Sequence, residues 1–161
     1  MAVIAQDAVI EGNVVIGEGS VVHPKAILRA APGTSLVLGA QCVVEELACV
    51  EAVEVATMVV GDGNVFSVGS LVRDSTLGAR NTLRPRCVVE QVTLGDHCVV
   101  GAKTTLPHGF VGGDGVSIVG DPPQMSSIDP ALFPGEDDQH SQLVTLLADI
   151  LPKFHHLAAD S

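Results

Sequence analysis

The sequence predicts an all-β fold: a left-handed parallel β-helix of about five to six triangular coils, followed by one C-terminal α-helix. Three observations lead to this prediction. A glycine-marked turn recurs five times, a finer six-residue period runs inside each repeat, and the period becomes helical near the end of the chain. An internal repeat of this length is typical of a solenoid, in which each coil buries its apolar face against the next.

The recurring turn consists of an aliphatic residue, a glycine, two mostly polar residues and then Ser, Asn or Cys. Successive copies begin 22, 22, 17 and 17 residues apart. The five copies occupy residues 16–20, 38–42, 60–64, 77–81 and 94–98. Glycine suits such turns because it reaches backbone conformations that a Cβ atom disfavours.

Large apolar residues follow each turn at six-residue intervals. The second and third columns are Val22, Val44, Phe66, Leu83, Val100 and Leu28, Val50, Val72, Val89, Leu106. Because side chains alternate along a strand, a small residue two places before each large one also faces inward. Three short rungs per repeat therefore predict a triangular coil. Ile4 and Ile10 extend the same period backwards and predict an incomplete first coil that caps the prism.

The positions just before the second and third columns should point outward, yet most of them are apolar. These interface candidates are Val21, Val43, Val65 and Val99, together with Ile27, Leu71 and Val88. A contiguous exposed apolar face usually marks an interface or a surface that another element covers. The preference of strands for β-branched residues is the alternative explanation.

Three regions are predicted along the chain: a β-helix over 1–120, a linker over 121–140, and an amphipathic helix with a tail over 141–161. Ser141 suits a helix N-cap, and Pro152 should kink or end the helix. Apolar residues at three- and four-residue steps complete the set of interface candidates with Leu143, Leu147, Ile150 and Phe154. We expect this helix to dock on the apolar side of the prism.

The first two full repeats are five residues longer than the others. The excess falls in 29–37 and 51–59, which should form two loops at one corner, one above the other. Surface turns tolerate insertions, and they also carry recognition sites. The sequence leaves both readings of these loops open.

The bulk composition excludes several function classes. The chain has a net charge of −11 and no basic stripe, which argues against binding nucleic acid or anionic membranes. It contains no apolar run of the roughly 18 residues that a membrane span requires, so no membrane insertion is expected. The four cysteines lack metal-ligand spacing, and Cys42, Cys87 and Cys98 occupy small inward positions. Reduced core cysteines in a cytoplasmic protein are therefore predicted.

Two enzyme chemistries are known on coils of this kind, and each needs histidines. An acyltransferase needs a general base that reaches the substrate, and a gamma-class carbonic anhydrase needs three histidines around zinc. His23, His97 and His108 fall in different columns, lack a recognisable carboxylate partner, and are predicted to be solvated turn residues. His155 and His156 are adjacent, so they would not face one way on a helix. We predict no catalytic, cofactor-binding or metal-binding residue.

Three local sequences carry a family resemblance. They are the Val-Val-His-Pro-Lys-Ala segment at 21–26, the rung at 38–46 with its acidic pair, and the Leu-Pro-Lys-Phe-His-His run within 150–157. With them the chain resembles the dynactin subunit 6 family, small β-helix subunits of the dynactin pointed-end complex.

The resemblance implies a non-catalytic structural and adaptor subunit that is cytoplasmic and associated with the cytoskeleton. Its partners would be dynactin subunit 5, which is another β-helix, and other pointed-end subunits including an actin-related protein. Such a complex supports dynein-driven microtubule transport and cargo selection. The alternative is a hexapeptide-repeat acyltransferase, or a zinc enzyme like gamma-class carbonic anhydrase, acting as a homotrimer.

Overall fold

The computed structural model confirms the predicted fold class: a left-handed parallel β-helix of about six turns, along which a C-terminal helix is laid. It describes residues 2–120 and 122–154, without the side chains of residues 136 and 149–154. The chain passes repeatedly from a first sheet (face A) to a second (face B) and a third (face C), then returns to face A one coil higher.

Each face is a ladder of short strands. Face A consists of β1 Val3–Ile4, β4 Val21–Val22, β7 Val43–Val44, β10 Val65–Phe66, β13 Thr82–Leu83, β16 Val99–Val100, β18 Val116–Val119 and β19 Gln124–Ser127. Face B consists of β2 Val9–Glu11, β5 Ile27–Ala30, β8 Cys49–Ala52, β11 Leu71–Arg73 and β14 Val88–Glu90. Face C consists of β3 Asn13–Ile16, β6 Ser35–Leu38, β9 Thr57–Val60, β12 Thr76–Leu77, β15 Thr93–Leu94 and β17 Val111–Gly112. All neighbouring strands pair in parallel except β18 and β19, which are antiparallel.

The interior of the prism is filled by the predicted columns of large and small residues. Phe66, Leu28, Leu83 and Leu106 are among its largest fully buried side chains. Their stacking in register follows from strand pairs such as Val44 with Phe66. Burial of a continuous aliphatic core is therefore the main stabilising contribution to the coil.

One inward column is polar and links the coils through hydrogen bonds. The amide oxygen of Asn64 accepts a hydrogen bond from the backbone N–H of Asn81 at 2.9 Å. The Asn81 side-chain oxygen in turn accepts one from the N–H of Cys98 at 2.8 Å. Both asparagines are fully buried, and these bonds satisfy backbone donors that the turns would otherwise leave unpaired.

The three corners of the prism place residues in the left-handed backbone region. Corner AB, between faces A and B, has Lys25, Leu47, Gly69, Arg86 and Lys103 at this position. Corner BC has Gly12, Gly33, Asp74, Gln91 and Gly109, and corner CA has Gly19, Gln41, Gly63, Arg80, His97 and Gly115. Corner residues of successive coils stack, because the N–H of Lys103 donates to Pro85 O and that of Arg86 donates to Val68 O.

The two long repeats do not form loops of the predicted length. Their extra residues mostly extend β5, β6, β8 and β9 to four residues each, so the connections shrink to 31–34 and 53–56. The two connections do stack at corner BC, as the register of these strands requires. The second is held by the Asp74 carboxylate, which accepts hydrogen bonds from the backbone N–H groups of Val53 at 2.7 Å and Glu54 at 3.1 Å.

Helix α1 spans Phe133–Phe154, so its predicted start at Ser141 is wrong by eight residues. A 3₁₀ helix at Pro130–Leu132, capped by the Asp129 side chain, leads into it. Part of the predicted linker is therefore helical, and another part forms strand β19. The helix also continues two residues beyond Pro152.

Candidate interaction surfaces

The helix lies along face A and covers its first coils. Val144 packs on Val21 and Val43 and leaves 6% of its own surface exposed. Leu147 and Val65 pack at the margin of the same cluster. The 22-residue helix is about 33 Å long, which matches the roughly 29 Å that seven parallel strands span. The expected docking of the helix on the outward valines is what the structure shows.

The first half of the helix is anchored at corner CA of the upper coils. The Phe133 ring stacks on the His97 ring, with centroids 4.1 Å apart and planes 8° from parallel. The Asp137 carboxylate lies 3.2 Å from His97 Nε2 and 3.6 Å from an Arg80 nitrogen. Further along, His140 Nε2 lies 2.6 Å from the backbone oxygen of Gln41. The helix therefore runs from the last coils back towards the first.

The helix candidates were placed less accurately than the strand candidates. Leu143 is 40% exposed and lies beside the helix contact, whereas the neighbouring Val144, which the sequence analysis missed, is the buried residue. The side chains of Ile150 and Phe154 lie outside the part of the chain that the structure describes.

The helix leaves part of face A open. A cavity of about 340 Å³ separates the first half of the helix from coils four to six. We call it the helix groove. Its lining includes Val65, Thr82 and Val99 from the sheet, Arg80 and Arg84 from its margins, and His140 and Leu143 from the helix.

The face B candidates Ile27, Leu71 and Val88 are half-buried and form one outward row with Cys49. Beside this row runs a ladder of alternating charges, one residue per coil: Glu11, Arg29, Glu51, Arg73 and Glu90. Arg29 lies 3.0 Å from Glu11 and 3.4 Å from Glu51, and Arg73 Nε donates to Glu51 at 2.6 Å.

This charge ladder stabilises the register of the coils. Glu51 is 5% exposed, and the arginines above and below it compensate for the burial of its charge. If a coil stacked on the next coil but one, like charges such as Arg29 and Arg73 would lie side by side. Sequence reasoning missed the ladder, although acidic and basic residues alternate at spacings close to the repeat lengths.

Face C carries an outward row that the sequence analysis did not single out. In register, the row contains Val15, Val37, Val59, Thr76, Thr93 and Val111. A parallel row holds Asn13, Ser35 and Thr57. All strand positions of this face lie within residues 2–120, which the structure describes without a gap, and none of them is charged. A flat uncharged strip therefore runs along six coils of a chain whose net charge is −11.

The three histidines of the β-helix occupy three different corners. His97 lies at corner CA, His23 lies in the turn that leads to corner AB, and His108 precedes Gly109 of corner BC. The prediction of a solvated turn residue without a carboxylate partner is wrong for His97; for His108 only the missing partner is wrong, because its side chain is 62% exposed. His97 is stacked and faces Asp137, and His108 Nε2 lies 3.3 Å from Glu90. Because they lie at separate corners, these three histidines of one chain do not converge on a shared substrate or metal ion.

The described residues contain no group of three or more histidine, cysteine or carboxylate side chains that could hold a metal ion. Among the same residues, no helix is both long and apolar enough to cross a membrane.

The cysteine thiols are held in their protonated form. Burial raises the pKa of Cys42 from 9.0 to about 11 and that of Cys87 to about 12. For Cys49, burial and then the Glu51 carboxylate raise the pKa to about 11. Burial also raises the pKa of Cys98.

We therefore predict slow alkylation of the native protein. At pH 8, a rise of the pKa from 9 to about 11 lowers the thiolate fraction of Cys49 about a hundredfold. Iodoacetamide should label native protein slowly and denatured protein quickly, as followed by intact mass. The same shifts predict how stability depends on pH. Because folding raises the pKa of these thiols, their contribution to the free energy of unfolding should be fully present below about pH 9. It should decline as the pH rises from 9 towards 11. Labelling of native Cys49 at the rate of a free thiol would contradict the burial described here.

The fold agrees with that of solved β-helix proteins. A hexapeptide transferase family protein from Anaplasma phagocytophilum superposes with a TM-score of 0.76 at 14% identity, covering 92% of both chains. A UDP-N-acetylglucosamine acyltransferase from Bacteroides fragilis gives a TM-score of 0.63 at 12% identity, covering 79% of this chain and 61% of its own. Identities this low establish the fold alone. The two superpositions place the chain in the fold class of hexapeptide-repeat left-handed β-helix proteins.

Sequence comparison identifies the family within that class. The chain is 28% identical to dynactin subunit 6 of Nematostella vectensis over 99% of its length and 90% of the relative. It is 30% identical to dynactin subunit 6 of Danio rerio over 97% of its length and 84% of the relative. No protein-family model matches the sequence. The chain belongs to the dynactin subunit 6 family.

Proposed function

We propose that this chain is a non-catalytic scaffold and adaptor subunit of the dynactin pointed-end complex. In this role it supports dynein-driven microtubule transport and cargo selection in the cytoplasm, in association with the cytoskeleton. Its partners would be dynactin subunit 5 and other pointed-end subunits, including an actin-related protein. Its membership of the dynactin subunit 6 family supports this proposal.

The uncharged strip on face C is the observation that carries the proposal. Val15, Val59 and Val111 are each about half or more exposed, at 54%, 48% and 69%. In a chain of this net charge, an uncharged strip six coils long is more typical of a contact surface than of a solvated one. Its regular rungs, which lie about 4.8 Å apart as in other β-sheets, suit the flat face of another parallel β-helix, the fold that the resemblance gives to dynactin subunit 5.

The half-buried row of face B, with Ile27, Leu71 and Val88, is proposed as a second and smaller contact. The charge ladder beside it limits that contact to a partner with matching polar groups. The separation of the three histidines supports a non-catalytic role, because a general base needs its partners within hydrogen-bond reach.

Charged substitutions on face C test this proposal in cells. The double variant Thr76→Arg/Thr93→Arg places two charges at adjacent rungs in the middle of the strip. Tagged wild-type and variant chains are isolated from their own cells, and dynactin subunits are quantified by mass spectrometry. We expect the double variant to lose most of the co-purified subunit 5, since unpaired charges at an interface cost several kcal/mol, typically about 2–5.

Thr145→Arg is the matched control, because Thr145 is exposed on the helix. It should recover dynactin subunits as the wild type does. Circular dichroism and the thermal midpoint show whether both variants remain folded. Equal recovery of subunit 5 by a folded face C variant would reject this surface, and absence of all dynactin subunits from the wild-type isolate would reject the proposed function.

A further inference from the structure

The cations of the chain are distributed unevenly. Arg29 and Arg73 belong to the charge ladder, and Arg80 faces Asp137. Four other lysines and arginines have described side chains, and none of the four makes an ion pair with a described residue. They are Lys25, Arg84, Arg86 and Lys103. All four lie at corner AB or within two residues of it.

Three of these unpaired cations lie together on the upper coils. Arg84 precedes the corner position of Arg86 by two residues, and Lys103 stacks one coil above Arg86. All three are exposed. The corner segments of these coils, 67–69, 84–86 and 101–103, contain no acidic residue, whereas the coil below carries Glu45 and Glu46. An unneutralised positive edge is unusual on a protein with a net charge of −11.

This edge adjoins the helix groove. Arg84 belongs to the groove lining, where Val65 and Val99 form an apolar floor and Leu143 an apolar wall. Arg80 lies at the opposite side, where its Nη1 atom faces Asp137 Oδ1 at 3.6 Å. At about 340 Å³ the groove is near the lower limit of small-molecule sites, and it has room for one or two side chains.

We propose that the helix groove and the cations beside it form a docking site for an acidic segment of a partner protein, anchored by an aliphatic side chain. Charge complementarity selects the acidic segment, because Arg84, Arg86 and Lys103 attract carboxylates. The floor of Val65 and Val99 takes the aliphatic anchor. The chain's own Asp137 is engaged by His97 and Arg80. This inference is independent of membership in dynactin.

Fluorescence anisotropy with the purified full chain tests the site. The probe is a fluorescein-labelled peptide in which a Leu-Leu pair is flanked on each side by three glutamates. We expect saturable binding that weakens with added salt. The triple variant Arg84→Glu/Arg86→Glu/Lys103→Glu should weaken it at least about tenfold. Leu143→Ala, which shortens a groove wall without changing charge, should weaken it several-fold.

Lys25→Glu is the matched control, since it reverses the charge of an exposed residue on the same corner three coils below Arg86. Its affinity for the peptide should stay within about twofold of the wild type.

Four results would overturn the proposal. They are absence of binding, equal binding of a peptide with serines in place of the leucines, equal weakening by Lys25→Glu, and displacement of the peptide by inorganic phosphate at the same concentration. Concentration-dependent self-association that the triple variant abolishes would assign the groove to a second copy of the chain instead.

Discussion

Replacing Val144 with aspartate is expected to detach the helix from face A. Val144 is 6% exposed and packs on Val21 and Val43, which are fully buried. A carboxylate at this position would lack a polar partner in the valine cluster, and releasing the helix exposes that cluster to water. We expect the free energy of unfolding to fall by about 2–3 kcal/mol, which is the contribution of one buried aliphatic side chain. Chemical denaturation measures this loss, and a hydrophobic dye should bind the variant more strongly.

Leu146→Asp is the control, because Leu146 lies two residues further along the same helix and is 53% exposed. Its free energy of unfolding should change by no more than about 0.5 kcal/mol. Equal stability and equal dye binding of the two variants would show that the helix does not cover face A in solution.

Replacing Gly12 with alanine should cost more than any other glycine-to-alanine change at a turn of the first coils. Gly12 has φ of +83°, and a Cβ atom there would lie 2.0 Å from the backbone oxygen of Ala30. That oxygen belongs to β5 of the next coil, so the coil itself would have to shift. Adding about 1 kcal/mol of backbone strain to the 1–3 kcal/mol typical of overpacking gives a loss of about 3 kcal/mol.

Gly33→Ala separates the two contributions. Gly33 also has φ of +83°, but nothing lies within 4 Å of its Cβ position. Its substitution should cost about 1 kcal/mol from backbone strain alone. If thermal or chemical denaturation gave equal losses for the two variants, the close stacking of the first coil on β5 would be incorrect.

The sequence was sufficient to predict the coil because its chemistry is local and periodic. One large apolar residue per rung and one glycine per turn define the inward columns, and Phe66 or Leu83 needs no distant contact to be recognised. The docking of the helix was predictable for the same reason, since outward valines and a helical apolar period are both visible in the chain.

The predictions failed where distant contacts decide the structure. The stretch from Phe133 to His140 contains Pro134, Gly135 and three acidic residues, so its local pattern favours a linker. It is helical because Phe133 stacks on His97 and Asp137 faces His97 and Arg80 across the corner. Those contacts join residues 36 (Phe133 and His97) to 57 (Asp137 and Arg80) positions apart, and no local signal indicates them.

The uncharged strip of face C could have been found from the sequence. Val15, Val37, Val59, Thr76 and Thr93 each precede the aliphatic residue that begins a glycine turn. This row has the same period as the rows identified on faces A and B. The alternation of side chains along a strand points these residues outward beside the first apolar column, as it does Val21 and Ile27 beside the second and third.

The size of the particle that contains this chain tests the central claim most directly. Extract from the chain's own cells is separated by sedimentation, and the fractions are probed for the chain and for an actin-related protein of dynactin. A dynactin subunit should sediment with that protein in a particle far larger than the 16.5 kDa chain. Sedimentation of the whole pool as a separate homotrimer would contradict the scaffold function. It would also favour the alternative of a homotrimeric enzyme that uses His23, His97 or His108, because a subunit boundary brings together corners that are separate within one chain.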